Sequence, residues 1–427
     1  MRQPLRRPGN NEPVHVGDVD CTGIVYPTGR CSFVQVVPNL RFSVPASSSR
    51  PLHVMHVFAT SGSVPYLTWF AQRAKKEGNV RFTFLVMYHE RPAMMDEMPA
   101  LGFDCHWIRF DPAKRKRGMI KALPWLWWHM VRYRPDVVHG HLFDDTLPAM
   151  IAAWAARIRL RVYTRQDSGY HWNYTPRWVF LDKFLAWSAN RVIAVSGDVR
   201  DHMTRREGVP AAKIAMVHNG IPPDRYTTQD PATMSRLRDR FGTNGRHPVL
   251  GTVARFIEWK GYRQIVDAAR ILVKRHPGAR FLFCGTGPQE PQVRRWVKEY
   301  GLEDHVVFTG WVERDDVPSL FGIFDIYFHA ADHEPFGFVY AEAMMAGVPV
   351  VSTPTGAALD AIEDGRSGIL VKERSGEALA EGVERLLKTD AAALGRAGRE
   401  IALRMFTFDG MYDGYMGIYQ EMLKRRA

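Results

Sequence analysis

The chain has 427 residues, with 46% hydrophobic and 24% charged side chains. Such values suit a globular protein with a core and exclude a disordered, collagen-like or coiled-coil chain. The formal net charge of +12 is uneven: residues 1–221 hold 30 Lys and Arg against 17 Asp and Glu, and residues 222–427 hold 27 against 28. A basic front half implies an anionic partner and says nothing about fold.

Residues 1–50, with the tract PASSSR and few periodic apolar positions, read as a flexible extension. Order is expected from PLHVMHVFAT (51–60), a strand, through YLTWFAQRAKKEG (66–78), a helix closed by Gly78, to the strand RFTFLVMY (81–88). Strand, helix, strand in so short a span is a βαβ unit with a parallel sheet. The stretch DPAKRKRGMIKALPWLWWHMVRYRPD (111–136) sets Lys114–Arg117, Lys121, Arg132 and Arg134 beside Trp125, Trp127 and Trp128. Two readings compete there: a helix with its tryptophans in the core, or a cationic aromatic face for an anionic membrane. Alternation continues through DVVHGH (136–141), a helix from Pro148, RVYTR (161–165) and RVIAVS (191–196), which closes a first domain over 51–221.

A second α/β run follows MVHNGIPP (216–223). Its strands are PVLGTVAR (248–255), ARFLFCG (279–285), VVFTG (306–310), IYFHA (326–330) and VPVVST (348–353), giving a second domain over 222–406. Two consecutive parallel α/β domains imply a cleft, with ligands outside the carboxyl ends of the strands. The four cysteines (Cys21, Cys31, Cys105, Cys284) form no Cys-x-x-Cys pair, so neither a disulfide framework nor metal-ligand spacing is present, and a reducing, cytoplasmic setting is expected. No apolar run nears the ~18 residues of a membrane span.

The densest stretch is HAADHEPFGFVYAEAMMAGVPVVST (329–353). Glu334 falls in a loop after a strand, and Glu342 on a helix from about Phe338 to Met345. Amides around Gly337, Phe338 and Val339 open that helix and suit a phosphate, while the carboxylates suit paired hydroxyls. Donors for a diphosphate beside acceptors for hydroxyls fit a nucleotide sugar. The bland alternative, a loop charge and a solvated helix residue, is weaker because both carboxylates lie between two strongly apolar strands. In GTVARFIEWKG (251–261), Arg255 and Lys260 lie at a strand's carboxyl end, where two cations can neutralise a diphosphate leaving group in place of a metal. The turns at Gly285–Gly287 and at Gly310–Val312 permit close approach of a ribose or base.

These motifs resemble those of retaining glycosyltransferases of family 4, whose GT-B fold sets two Rossmann-like domains face to face. The Glu-x7-Glu motif corresponds to Glu334 and Glu342, the donor-phosphate pair to Arg255 and Lys260–Gly261, the domain junction to Asn219–Gly220, and the Gly-x-Gly turn to Gly285 and Gly287. The resemblance implies that Glu334 contacts the transferred sugar, Glu342 the ribose, and Arg255 with Lys260 the departing diphosphate. It also implies that residues 407–427 form a helix crossing back onto the first domain. The front half departs from the pattern. Ser61–Gly62–Ser63 replaces the usual Gly-Gly loop, Gln166 follows Arg165 near the position of the family's site histidine, and Thr355-Gly356-Ala357-Ala358 replaces the phosphate-side motif. His171, His139 and His141 are the candidate histidines, and Gly62, Ser63, His141, Arg165 and Gln166 are the acceptor-side candidates.

The expected activity is transfer of a sugar from a UDP- or GDP-sugar to a hydroxyl of a glycan or lipid-linked acceptor, with no metal and no cofactor. The alternative is a non-catalytic member of the same fold that binds a sugar nucleotide or glycan. Nucleic-acid binding has no recognition motif to support it. Residues 1–50 contribute +3 and residues 51–221 +10. The charge therefore points to the acceptor, held in the cytoplasm at the inner face of a membrane.

Overall fold

A computed structural model describes residues 50–59 and 65–425 of the chain. The extension 1–49 and the candidates Gly62 and Ser63 lie outside the described residues.

The first sheet holds seven strands: β1 (Leu52–Phe58), β2 (Val80–Tyr88), β3 (Asp104–Arg109), β4 (Val137–Gly140), β5 (Leu160–Arg165), β6 (Arg191–Ala194) and β7 (Ile214–Met216). They are ordered β3-β2-β1-β4-β5-β6-β7, and every pairing is parallel. The second holds β8 (Val249–Val253), β9 (Arg280–Cys284), β10 (Val306–Gly310), β11 (Ile326–His329), β12 (Val350–Ser352) and β13 (Ile369–Leu370), ordered β10-β9-β8-β11-β12-β13. Helices cover both faces, so runs such as LHVMHVF are buried almost throughout. Each sheet reverses direction beside its first strand, between β1 and β4 and between β8 and β11. These are the positions where such sheets open a ligand crevice.

The two chain crossings between the domains meet one another. Ile221 donates its amide to Phe406 O at 2.9 Å, and Phe408 donates to Ile221 O at 2.9 Å. The helix Phe408–Lys424 then returns to the first sheet, where Met411, Tyr415, Met416 and Tyr419 are buried with Val54, Phe70 and Phe82. A chain end that completes the first domain's core couples the two folding units.

Several local expectations shift. β3 was not foreseen from the sequence, because its alternation DCHWIR follows a helix of only eight residues, Met94–Leu101. The helix expected from Pro148 begins at Phe143, because the Asp145 carboxylate accepts the amides of His141 (2.8 Å) and Leu142 (3.0 Å) and closes its first turn. The 111–136 stretch is a helix over Arg115–Tyr133, yet its tryptophans are not all core. Trp127 and Trp128 are 43% and 53% exposed, while Ala122, Leu126 and Met130 face inward.

Candidate active site

Glu334 sits in the loop between β11 and the helix Phe338–Met345 and is 5% exposed. Its Oε1 is ion-paired with Lys260 Nζ and accepts a hydrogen bond from His329 Nε2 at 3.2 Å. Burial would raise its carboxyl pKa, but the His329 hydrogen bond and the Lys260 charge outweigh it and hold it at about 2. Glu334 is thus a fixed anion at any working pH. His329, pushed down by burial and completely enclosed, donates through Nε2 and leaves Nδ1 without a partner among the described residues.

Lys260 reaches Glu334 because of its neighbours. A single 3₁₀ turn, Glu258–Lys260, ends at Gly261 with φ +71°, where a Cβ would lie 2.0 Å from Ala330 O. Only glycine lets this turn press on the start of the Glu334 loop, and Asp332 N bonding to Trp259 O at 2.8 Å fastens it. Arg255, exposed just beyond β8, has no carboxylate partner among the described residues. Gly285 and Gly287, expected to face the nucleotide, are required by packing. Their Cβ atoms would fall 2.3 Å from Ala254 O and 2.5 Å from Phe256 O, so they bring the β9 loop onto the backbone flanking Arg255.

The helix Phe338–Met345 starts from Gly337 (φ +77°), and the first amides of its opening turn, Phe338 and Val339, have no partner within the helix. Glu342, one turn further, is held otherwise than Glu334. Tyr226 Oη donates to its Oε1 at 2.7 Å, and burial raises its pKa. Tyr226 belongs to the short helix Asp224–Thr227 just after the domain junction; sequence reasoning missed it because nothing local marks the pair. Removing the hydroxyl leaves a half-buried carboxylate without that donor. Tyr226→Phe is therefore expected to lower the unfolding free energy by about 1–3 kcal/mol, checked by urea denaturation. Val312, expected in the donor site, has its side chain in the core, whereas its neighbour Trp311 is 70% exposed.

The first domain contributes less than its sequence suggested, with one exception. Arg165, expected on the acceptor side, is 1% exposed and paired with Asp167 (3.0 Å), Asp182 (3.3 Å) and Glu207 (2.8 Å). A guanidinium fully occupied by three carboxylates is a structural tie and offers nothing to an acceptor. Gln166 exchanges two hydrogen bonds with the Asn219 amide (3.2 and 3.0 Å), which joins the end of β5 to the domain junction. His141 is buried between His56 (Nε2 to Nδ1, 2.9 Å) and Tyr66 Oη (3.2 Å). With His139 they form the group of three, among the described residues, whose nitrogens lie within 4.8 Å of one another. All three are buried within the first domain.

His171 is the exception. It lies on the short helix Tyr170–Tyr174, with Nδ1 3.0 Å from Asp182 Oδ1. That carboxylate accepts the hydrogen bond from Nδ1–H, which keeps the proton on Nδ1 and leaves Nε2 as the acceptor. On the same helix, the Tyr174 ring lies 5.8 Å from the ring of Trp259, the residue preceding Lys260. The domains touch again where Ser196 Oγ donates to Pro335 O at 2.5 Å and where Gly197 N and His218 Nε2 meet Asp360 Oδ2 at 2.8 and 3.0 Å. The carboxyl edge of the first sheet thus faces the Glu334 loop, and the structure brings His171's helix to the Lys260 turn. The sequence carried signals for His171 and Lys260 but none for Asp182, His329 or Trp259.

Comparison with known proteins agrees with this arrangement. Residues 62–225 match the family described as Glycosyltransferase Family 4, and residues 234–401 match Glycosyl transferases group 1. A GDP-mannose-dependent alpha-(1-6)-phosphatidylinositol monomannoside mannosyltransferase of Mycobacterium tuberculosis is 30% identical over 275 residues, spanning 61% of this chain and 71% of that protein. An alpha-D-kanosaminyltransferase of Streptomyces kanamyceticus is 27% identical over 318 residues, spanning 70% and 82%. Among solved structures, HepE of Anabaena in complex with UDP superposes with a TM-score of 0.71 at 22% identity, over 87% of this chain and all of that one. Sucrose-phosphate synthase of Thermosynechococcus elongatus gives 0.71 at 19% identity, over 88% and all. Two facing parallel sheets, a Glu334–Lys260 pair at their cleft and these matches together place the chain in glycosyltransferase family 4, as a glycosyltransferase with the GT-B fold.

Proposed function

We propose that this enzyme transfers a sugar from a UDP- or GDP-sugar to a hydroxyl of a glycan or lipid-linked acceptor, with retention of configuration and without a metal. The observation that carries the reading is the buried Lys260–Glu334 pair, set beside Arg255 and the opening turn of the helix Phe338–Met345. Glu334, held ionised, accepts hydroxyls of the transferred sugar. Lys260, Arg255 and the Phe338 and Val339 amides meet the diphosphate, where fixed positive charge stabilises the departing group. Glu342, oriented by Tyr226, accepts from the ribose. In the transfer, the bond from the anomeric carbon to phosphate oxygen breaks and a bond to the acceptor oxygen forms on the same face. The acceptor's proton passes to the leaving phosphate. His171, its tautomer fixed by Asp182, lines this space from the first domain.

Two relatives support a large or lipid-linked acceptor by what they are named for: one acts on a phosphatidylinositol mannoside, and another is a lipopolysaccharide core glycosyltransferase of Rhizobium meliloti. No helix among the described residues is long and apolar enough to cross a membrane. The exposed Trp127 and Trp128 and the neighbouring cations on the helix Arg115–Tyr133 support contact with an anionic inner membrane face. The test is turnover of a UDP- and GDP-sugar panel in buffer containing EDTA. Undiminished transfer is expected; activity lost in EDTA and restored by Mg²⁺ or Mn²⁺ overturns the metal-free reading.

A further inference from the structure

One open cavity of about 810 Å³ in the first domain is lined by His89, Arg109, Asp111, Lys114, Arg117 and Lys121, with Pro112 and Gly118 between them. Five of its six titratable side chains are basic. The single acid, Asp111, is engaged locally, accepting the Ala113 amide at 2.9 Å. Arg109, Lys114, Arg117 and Lys121 have no carboxylate partner among the described residues.

The basic run 114–117 divides in a telling way. Arg115 is turned to Asp144 at 2.5 Å, and Lys116 lies 4.7 Å from the centre of the Trp178 ring, so both serve the fold. Lys114 and Arg117 line the cavity instead, and Lys121 follows Arg117 by four positions on the same helix face. Arg109 joins them from the end of β3, and His89 from just past β2. Four like charges gathered around one exposed space raise the local positive potential and attract a counter-charge to it. Planar guanidinium groups beside point-charge ammonium groups suit the tetrahedral oxygens of a phosphate.

Position gives the anion a role. Residues 89 and 109 lie at the carboxyl ends of β2 and β3, the edge of the sheet whose β6 end meets the Glu334 loop. β2 and β3 are two and three strands from β4, so at ~4.8 Å per strand the cavity lies roughly 10–14 Å along that edge from the sheet's centre. The same helix exposes Ile120 beside Lys121, and Trp127 and Trp128 beyond the cavity.

We propose that this cavity seats a phosphate group carried by the acceptor, so that the acceptor is anchored by its anionic end while its hydroxyl reaches the cleft. The inference rests on the transferase reading and adds the acceptor's chemical class. The test compares the whole protein with the double variant Arg117→Ala/Lys121→Ala and with Lys76→Ala, an exposed first-domain lysine at the opposite edge of the sheet. Glycerol 3-phosphate is titrated by calorimetry, and vesicles of phosphatidylglycerol or of phosphatidylcholine alone are co-sedimented. Binding is expected to weaken at least ~10-fold in the double variant, about 1.4 kcal/mol, and less than twofold in Lys76→Ala. Loss of glycerol 3-phosphate binding assigns a soluble phosphate. Loss confined to phosphatidylglycerol vesicles, shared by Trp127→Ala/Trp128→Ala, assigns a lipid headgroup. An unchanged double variant, an equal loss in Lys76→Ala, or displacement of either probe by duplex DNA overturns the proposal. Stabilisation by UDP or GDP is followed in parallel: its absence in the unaltered protein removes the transferase reading, whereas its presence with no phosphate binding removes only this cavity.

Discussion

Lys260→Met is expected to lower both transfer and stability, and restoring the stability is expected not to restore the transfer. The Lys260 and Glu334 side chains are 15% and 7% exposed. Removing the cation leaves a carboxylate buried without its charge partner, a loss of about 3–5 kcal/mol for such pairs. It also removes a positive group aimed at the leaving diphosphate, which is worth about 10²–10³ in kcat when a single oxyanion donor is lost. Adding Glu334→Gln removes the orphaned charge, so the double variant regains most of its unfolding free energy in urea while transfer stays low. Recovery of both would make the pair structural. Loss of transfer without loss of stability would mean that Glu334 is less buried than the structure has it.

Below about pH 6.5 the first domain is expected to lose stability steeply. His56, His139 and His141 form one buried group: His56 Nδ1 faces His141, His139 Nδ1 meets Tyr419 Oη at 2.5 Å, and His139 Nε2 meets Thr164 Oγ1 at 2.7 Å. Burial pushes all three pKa values down, that of His141 to about 3. Their folded values lie below the unfolded value of 6.5, so the folded state resists protons that the unfolded chain accepts. Stability is therefore full above pH 6.5 and falls as pH drops, by about 1.4 kcal/mol per unit for each histidine. Asp145, four residues after His141 and accepting its amide, opposes one of them. Burial raises its carboxyl to about 7, above its unfolded 3.8, so protonating it favours the fold over the same range. Tyr66, Tyr415 and Tyr419 face the group and stay neutral throughout, their phenols raised by burial. Three histidines against one carboxyl leave a net loss on acidification, on the order of a few kcal/mol by pH 5, against a total of about 5–15 kcal/mol for an ordinary protein. Glu334 adds nothing in this window, since its stabilisation is lost only as pH falls from 4.5 toward 2. Urea midpoints between pH 5 and 8 measure the slope. A flat profile contradicts the assignment, and a slope reduced by about half in His56→Leu supports it. Because Tyr419 lies on the returning helix Phe408–Lys424, its release should accompany the transition.

The parallel sheets could be read in the sequence because both faces are buried and the strands are mostly apolar, as in LHVMHVF and RFTFLVMY. β3 could not, since DCHWIR is the edge strand of its sheet and only Cys105 of its six residues is fully buried. In the second domain Glu334, Lys260 and Gly261 were legible because each is set by its immediate loop. The residues that hold them were not: His329 and Trp259 look like ordinary strand and turn residues, and Tyr226 meets Glu342 across 116 positions. The first domain misled for a related reason. Arg165 ends a strand, where site residues gather, but Glu207, 42 positions on, draws it inward. Long-range ion pairing decides such cases, and a single sequence carries no mark of it.

The most direct measurement is donor binding and product configuration in one experiment. The purified chain, its Glu334→Gln variant and its Lys260→Met/Glu334→Gln variant are given each UDP- and GDP-sugar with a glycerol phosphate glycan or lipid acceptor, and the product's anomeric centre is read by NMR. A product with the donor's own anomeric configuration, formed by the unaltered chain and at least ~10²-fold more slowly by both variants, is the predicted result. An inverted product, or variants that transfer as fast as the unaltered chain, would contradict it.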